Sequence, residues 1–511
     1  MSRFTAIQRV TGIVLLVCFF SLQAESQVTS DHLKFSAIRG SQSKADTLSI
    51  TVQQKQKVRD LAITGTHASH FKLIQSTDAG KVIIVFTPPS DFEGIANAVL
   101  QAKVPQLNIQ LTGLSTKGLE GENEAPLSVI FSALGYTTDV GWKTLPNHTR
   151  PEPIGDELPQ SLFRKAGKGP VTIIPVARYS PDFALNYGIY FNSPAGPLRQ
   201  QVGILAKAGK YPEHQTLFPA MALGNSSVDT GDRPFGLYAV GPDHAIYTED
   251  CWNVLFHRER ANHAVRVYPL KNNLGQIEAN TFLFCMEEAA NGDYNDYVFL
   301  VKNIEPVSLE SEFTPLLNGK DFEGWYTWLQ TKGRNNDPDK IFTMEDGVLH
   351  DTGKEVGYLM TTNSYGNFHL TLEFKWGEDR WPPREKSKRD SGICYNIPEG
   401  EPDKIWPQSV ECQIQEGDVG DFWLLGYSTI QVNGKQNLPL PHSQIIKAKD
   451  GEKTKGEWNK VEVISFNGKC AHIVNGVLVN FGDNSSLVGG RILLQSEYAE
   501  LFYRNVKLRK L

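Results

Sequence analysis

The 511-residue sequence predicts a mostly β, multi-domain protein, and three observations carry that expectation. Helical periodicity is scarce along the chain. Short runs alternating apolar and polar residues recur throughout, bounded by Gly, Pro, Asn and Asp, as half-buried strands are. The length exceeds what one ordinary core fills, so about two to four domains are expected. A net charge of −6, with no basic block or basic–aromatic stripe, argues against a nucleic-acid partner.

At the N-terminus, Arg3 and Arg9 precede a short apolar stretch over 13–20 and the run Ser-Leu-Gln-Ala ending at Ala24. That pattern predicts a signal peptide over 1–24. The apolar stretch is short for a bilayer span, and no later segment is apolar enough for one. An exported protein is therefore expected, periplasmic, extracellular or cell-surface, with no membrane span after cleavage. Beyond the signal stand Cys251, Cys285, Cys394, Cys412 and Cys470. This odd, sparse set is neither a disulfide framework nor a zinc spacing, and Cys251 with Cys285 is the pair to test in the middle region. Cys394 and Cys412 lie in strand-like runs and read as buried small hydrophobes.

Residues 31–115 predict strands near 48–52, 61–63, 82–86, 98–101 and 107–111, spaced as in a small sandwich. The motifs Asp60-Leu-Ala-Ile-Thr-Gly, Ser69-His-Phe-Lys-Leu, Val85-Phe-Thr-Pro-Pro and Gln110-Leu-Thr-Gly resemble Hydin-type Ig-like modules. That resemblance implies a spacer or adhesive unit, with His67 and His70 as surface or loop histidines. The stretch 120–155, rich in Gly, Pro, Asn and Glu, reads as a linker. A second β-rich unit, an accessory sandwich, is expected over 156–307. Its closing run, Gly292-Asp-Tyr-Asn-Asp-Tyr-Val-Phe-Leu-Val, resembles the last strand of exported β-sandwich domains. Asp293, Asn295 and Asp296 there offer hard oxygen ligands, with Glu249 and Asp250 as candidates to complete a calcium shell.

The C-terminal region, 312–511, carries the chemistry. Arg389-Asp-Ser-Gly-Ile-Cys-Tyr-Asn-Ile and Ser409-Val-Glu-Cys-Gln-Ile-Gln-Glu416 both alternate with period 2. In the second run Cys412 and Ile414 point one way and Glu411, Gln413 and Gln415 the other. One carboxylate and two amides on an open sheet face suit a hydroxyl-rich ligand, an oligosaccharide or glycoside. Likewise Leu370, Leu372, Phe374 and Trp376 share one face, leaving Thr371, Glu373 and Lys375 opposite. Ile492 and Leu494 face the core, while Arg491, Gln495 and Glu497 face outward.

The ordered motifs Phe313-Thr-Pro-Leu-Leu-Asn-Gly-Lys-Asp-Phe-Glu-Gly-Trp325, Glu345-Asp-Gly-Val-Leu349, Asp390-Ser-Gly-Ile393, Glu411-Cys-Gln-Ile-Gln-Glu416, Gly456-Glu-Trp-Asn459 and Gly490-Arg-Ile-Leu-Leu-Gln495 look like the 3-keto-disaccharide hydrolase domain family. The resemblance implies a concanavalin-like jelly roll and a 3-keto sugar substrate. An ordinary glycosidase places two carboxylates across the scissile bond. Here the strand reads Glu411-x-Gln413-x-Gln415, so double displacement on an unmodified sugar is disfavoured unless Asp390, Glu373 or Glu497 folds into place.

A 3-keto sugar needs a base at C2, an acid for the leaving oxygen and donors for the enolate. Glu411 is the expected base or acid, Gln413 orients the substrate, Lys375 and Arg389 are candidates for stabilising the oxyanion, and Asp390 orients hydroxyls or a cation. Tyr395, Gln415 and Gln495 are further substrate-binding candidates. Trp381, Trp406 and Trp423 are candidates for stacking on a sugar ring. The loop 377–388 is long for a hairpin and placed to close over the site. No cofactor is required by this chemistry, and calcium is the one metal suggested, in the middle unit.

Overall fold

A computed structural model of the chain describes residues 27–28, 31–51, 60–75, 81–103, 106–119, 121–209, 215–257 and 261–511. The expected signal peptide over 1–24 lies outside the described residues, as does Val52 at the end of an expected strand. Strands dominate, in three units arranged along the chain.

The first unit pairs two four-stranded sheets. One runs in the order Gln27–Val28, Asp46–Thr51, Lys81–Phe86, Phe71–Gln75; the other runs His32–Ile38, Gln106–Thr116, Gly94–Lys103, Ala62–Thr64. Leu33, Phe35, Ile84, Phe86, Leu100 and Leu111 close the core between them. His32–Ile38 and Phe71–Gln75 add to the expected strands, and His32–Ile38 pairs in parallel with Gln106–Thr116. Gly113 lies beneath the Phe86 ring, where any Cβ would come within 2.4 Å of it.

The stretch 120–155 is not a linker. It contains the helix Leu127–Leu134, whose Leu127, Ile130, Phe131 and Leu134 are buried at the spacing of one helical face. Gly135 ends it in the left-handed conformation, and Tyr136 N–H returns to the Phe131 carbonyl. Together with Trp142 of the same segment, these side chains share a core with Tyr179, Tyr268, Cys285 and Tyr294 of the next unit. Arg266, fully buried, ties the segment further by donating to the carbonyls of His148 and Arg150 and pairing with Glu157.

The middle unit is a sandwich of a six-stranded and a five-stranded sheet around Phe163, Ile173, Tyr187, Ile189, Leu237, Val267 and Phe299. The C-terminal unit is a larger sandwich of two eight-stranded sheets. One contains Trp325–Leu329, Gly357–Thr361, Arg491–Ser496, Asp390–Ile397, Ser409–Gln415 and Phe422–Leu425 as successive neighbours. The other is built around Ala499–Lys510, Phe368–Arg380, Asn459–Phe466 and Lys469–Val474. Leu370, Leu372, Phe374, Trp376, Ile393, Val410, Cys412, Ile414, Ile492 and Leu494 all enter the shared core, as alternation predicts. All five described cysteines are free and buried. Cys251 and Cys285 belong to separate clusters, so that pair forms no bond.

The second sheet presents Ile464, Phe466, Ala471, Ile473 and Phe481 on its far side, against Tyr190, Tyr238, Tyr247 and Trp252 of the middle unit. Trp252 meets Phe466 edge-on at 5.3 Å between ring centres. A buried ion pair, Glu249 with Arg509, crosses the same boundary, and Glu249 also accepts from Tyr190 (2.9 Å) and Asn192 (2.8 Å).

Phe131→Ala tests the status of 120–155. Packed in the shared core, its loss lowers the unfolding free energy of the middle unit by about 3–5 kcal/mol. Calorimetric unfolding reads this directly, and an unshifted transition is the outcome expected of a linker.

Candidate active site

Strand register, more than any single contact, assembles the site. Asp390 pairs with Gln415, Gly392 with Gln413 and Cys394 with Glu411 across one edge of Asp390–Ile397. Across its other edge Cys394 pairs with Leu493, and Asp390 bridges Glu497. Gly357–Thr361 and Trp325–Leu329 extend the rows, with Tyr358 against Gln495 and Trp328 against Tyr358. On the face turned from the core this sets Glu497, Asp390 and Gln415 in one row. Trp328, Tyr358, Gln495, Gly392 and Gln413 form the next. A third holds Leu493, Cys394, Glu411 and Trp423.

Gly392 at the centre is required by close approach. A Cβ there would fall 1.9 Å from Glu411 Oε1 and 2.7 Å from Gln495 Oε1. The missing side chain leaves the hollow into which the Glu411 carboxyl folds. Glu411 and Gln413 are each only 5% exposed.

Asp390 is the most heavily bonded of the acids. It accepts from Gln415 Nε2 at 2.6 Å and from Gln413 Nε2 at 3.2 Å, and it pairs with Arg384 at 2.6 Å. Arg384 reaches in from the loop 381–389, the strand before it running to Arg380 rather than ending at the expected 376, and also pairs with Glu497. One guanidinium thus serves a site with three carboxyls. Burial first, then the Asp390 and Glu497 charges, push the Glu411 carboxyl well above its usual range, with a hydrogen bond from Gln495 opposing. Burial, then Asp390, raises Glu497 to about 8 against the pull of Arg384. Burial also raises Asp390, opposed by Arg384 and Gln415. Gln413 Oε1 is buried with no partner, free to accept from a hydroxyl.

An aromatic wall continues the open face. Trp328 stacks on Tyr358 at 5.1 Å, and Trp406 and Trp423 pack on the same cluster with Tyr326 and Leu493. Asp403 accepts from the hydroxyls of Tyr326 (2.8 Å) and Tyr358 (2.9 Å), and Arg491 donates to Tyr326 at 2.9 Å.

The structure therefore brings together Glu411, Gln413, Gln415, Asp390, Gln495, Trp406 and Trp423. Lys375 is a correction: it lies on the outer side of the opposite sheet, over the rings of Trp458 (5.1 Å) and Phe502 (5.4 Å). Lysine 375 follows Phe374 in a strand whose inward positions are apolar, so alternation itself turns it away.

Arg389 is directed to Glu416, at 3.3 Å, and to the Glu378 carbonyl, and Arg384 takes the place at Asp390. Tyr395 is likewise corrected, because it points into the core and bonds His472 Nε2 at 2.9 Å. Trp381 anchors the loop by donating to the Thr352 carbonyl at 2.8 Å. Glu373 faces outward with Arg504, but Asp390 and Glu497 do stand beside Glu411, so partner carboxylates are present after all.

Arg384, Tyr326, Trp328, Tyr358 and Asp403 were not singled out by sequence. Alternation in Trp325–Leu329 was available for the aromatics, but nothing local ties Arg384 to Asp390. In the middle unit, Asp293 and Asp296 gather with Glu287, whereas Glu249 pairs with Arg509 and Asp250 with His263. Neither Glu249 nor Asp250 belongs to that group.

Residues 312–509 match the family described as a 3-keto-alpha-glucoside-1,2-lyase-like domain, bearing out the C-terminal resemblance. Among solved structures, a candidate glycosyl hydrolase from Parabacteroides distasonis is 22% identical, with 40% of this chain and 98% of that chain covered and a TM-score of 0.30. A carbohydrate binding module from Bacillus subtilis is 12% identical, covering 37% and 96% respectively, with a TM-score of 0.27. A beta-glucanase from Bacillus licheniformis is 12% identical, covering 33% and 82%, with a TM-score of 0.23. No curated protein matches the chain.

The crowding of these carboxyls has a pH signature. Glu497 binds its proton more tightly folded than unfolded, so its stabilising contribution is complete below about pH 4.5 and lost as pH rises through about 8. Thermal unfolding of the wild type shows stability declining across that interval, and Glu497→Gln flattens the decline. A wild-type profile that Glu497→Gln leaves unchanged contradicts the placement.

Proposed function

We propose that the C-terminal domain cleaves 3-keto-glycosides, including 3-keto-disaccharides, by C2 deprotonation, elimination of the aglycone and hydration. The observation that carries this reading is the convergence of Glu411, Asp390 and Glu497, with Asp390 and Glu497 sharing the single guanidinium of Arg384. The family match over 312–509 supports a 3-keto sugar as the substrate class. The two preceding units are read as non-catalytic, in an exported protein.

A carbonyl at C3 acidifies the hydrogen at C2. Asp390 accepts that proton, the C–H electron pair moves onto the C3 carbonyl as an enolate, and the enolate collapses to form the C1=C2 bond as the C1–O bond breaks. Glu411, kept protonated by burial, donates to the departing oxygen, which leaves as the free alcohol. Arg384 and the Gln415 amide stabilise the enolate oxygen that develops at C3. The sugar product is an enone. Water then adds its oxygen to C1, giving a proton to Glu411, while Asp390 returns a proton to C2. Atoms and charges balance, and the free 3-keto sugar results. Gln413 and Gln495 hold sugar hydroxyls, and Trp328, Trp406 and Trp423 offer apolar faces to the ring.

A second reading, a non-catalytic carbohydrate-binding or surface-attachment protein, draws on that same aromatic wall. Mass-spectrometric turnover of 3-keto-trehalose and simple 3-keto-glucosides, each beside its unoxidised parent, separates the readings. Release of 3-keto-glucose from the oxidised compounds alone is expected. Cleavage of the unoxidised parents would instead assign double displacement between Glu411 and a neighbouring carboxylate. Binding without turnover would assign the lectin-like reading.

Two variants locate the chemistry. Glu411→Gln lowers kcat by about 10²–10⁴-fold on substrates with poor leaving groups and much less on nitrophenyl derivatives, because only the former need the acid. Equal loss on both contradicts an acid role. Arg384→Gln lowers kcat/KM by about 10²–10³-fold while Glu411→Gln and wild type share its thermal transition to within a few degrees. Full activity without Arg384 removes it from the mechanism.

A further inference from the structure

The acidic turn of the middle unit lies outside the chemistry above. Its three acids, Glu287, Asp293 and Asp296, are buried and place ligand oxygens within 4.8 Å of one another. Among the described residues no other three His, Cys, Asp or Glu side chains are so gathered. The local chain explains how. Glu287 follows the strand Ile277–Met286, and Tyr297–Lys302 begins directly after Asp296. Gly292 and Tyr294 both adopt positive φ, at 76° and 57°, which curls the connection back on itself.

Hydrogen bonds satisfy this group only in part. Glu287 Oε2 accepts the backbone N–H groups of Gly292 (2.8 Å) and Asp293 (2.9 Å). Asp293 accepts from Asn291 Nδ2 at 2.7 Å, and Asp296 from Glu288 N–H at 2.6 Å. Glu287 Oε1, however, is buried without any donor, although its residue is fully enclosed and its carboxyl faces the other two acids. Asn295, also fully enclosed in the same turn, donates its amide to the Ala125 carbonyl at 3.1 Å and leaves Oδ1 unpartnered.

No Lys or Arg side chain donates to these acids among the described residues. Arg178, the nearby cation that feels Asp296, gives its hydrogen bonds to Ser180 and to the carbonyls of Pro181 and Ala206. Three gathered carboxyls, one with a buried unpartnered oxygen, and no organic counter-ion are a high-energy arrangement unless a cation or protons intervene. Burial and mutual repulsion accordingly hold Glu287 up at about 7 and raise Asp296 well above its usual range.

We propose that Glu287, Asp293 and Asp296, with the side-chain carbonyl of Asn295, bind a divalent cation that prefers hard oxygen ligands, calcium by ligand type and charge. The ion neutralises the acids and gives both orphaned oxygens a partner. Because Asn295 also holds Ala125, it pins the 120–155 segment to the middle sandwich as well.

Metal analysis of the full-length protein, after dialysis against EGTA and again after adding calcium, is the test. One calcium per chain is expected, together with a melting-temperature rise of about 5 °C on calcium addition at pH 8. Asp293→Asn alone, and Glu287→Gln with Asp293→Asn, abolish both responses. Should either variant fail to fold, terbium luminescence on the wild type, sensitised by Tyr294 and Tyr297 and displaced by calcium, reports the site without mutation. Absence of stoichiometric metal, an unchanged melting temperature and no sensitised luminescence overturn the proposal. Stability that rises only as the pH falls below about 7 would then assign a shared proton to Glu287 and its neighbours.

Discussion

A strand in a two-layer sandwich must bury one of its faces, and almost everything in the C-terminal unit follows from that constraint. Val410, Cys412 and Ile414 enter the core with Ile393, Ile492 and Leu494, so Glu411, Gln413, Asp390 and Gln495 are turned outward together. A one-residue slip of Ser409–Gln415 would place the acid and amides in the core and the apolar set outside. The core therefore holds the polar rows in register more firmly than their own hydrogen bonds do. The same rule turns Lys375 and Tyr395 away from the site.

Electrostatics then differentiates three chemically similar carboxyls. Asp390 has Arg384 and two amides around it, Glu497 shares Arg384, and Glu411 lies over Gly392 with Gln495 as its nearest amide. Burial raises all three, and Arg384 opposes it at Asp390 and Glu497 but not at Glu411. Carboxyls set apart by their surroundings are what acid and base roles require, and here ordinary residue types provide the difference.

The middle unit packs on the sheet opposite the candidate site. The middle unit covers the far side of the second sheet through Trp252, Tyr247 and the Glu249–Arg509 pair, leaving the face with Glu411 turned away from that contact. A buried ion pair of this kind is costly to break from one side, which favours a fixed relation between the two units. Segment 120–155 does for the first and middle units what that pair does for the last two: its helix shares a core with Leu114 on one side and Tyr268 and Cys285 on the other.

By itself the sequence determined the β class, the placement of the C-terminal unit and the face on which Glu411, Gln413 and Gln415 lie, because period-2 alternation is a local property of consecutive residues. It also carried the acids Asp293 and Asp296, again as neighbours along the chain. Tertiary structure alone decided that Arg384 rather than Arg389 meets Asp390, that Glu497 joins Glu411, that Glu287 completes the acidic group, and that 120–155 packs as an element. Alternation says which way a side chain points from its own strand. Which residues of other strands and loops it then meets depends on sheet order and register, and those are set by the summed packing of a whole core rather than by any short run of sequence.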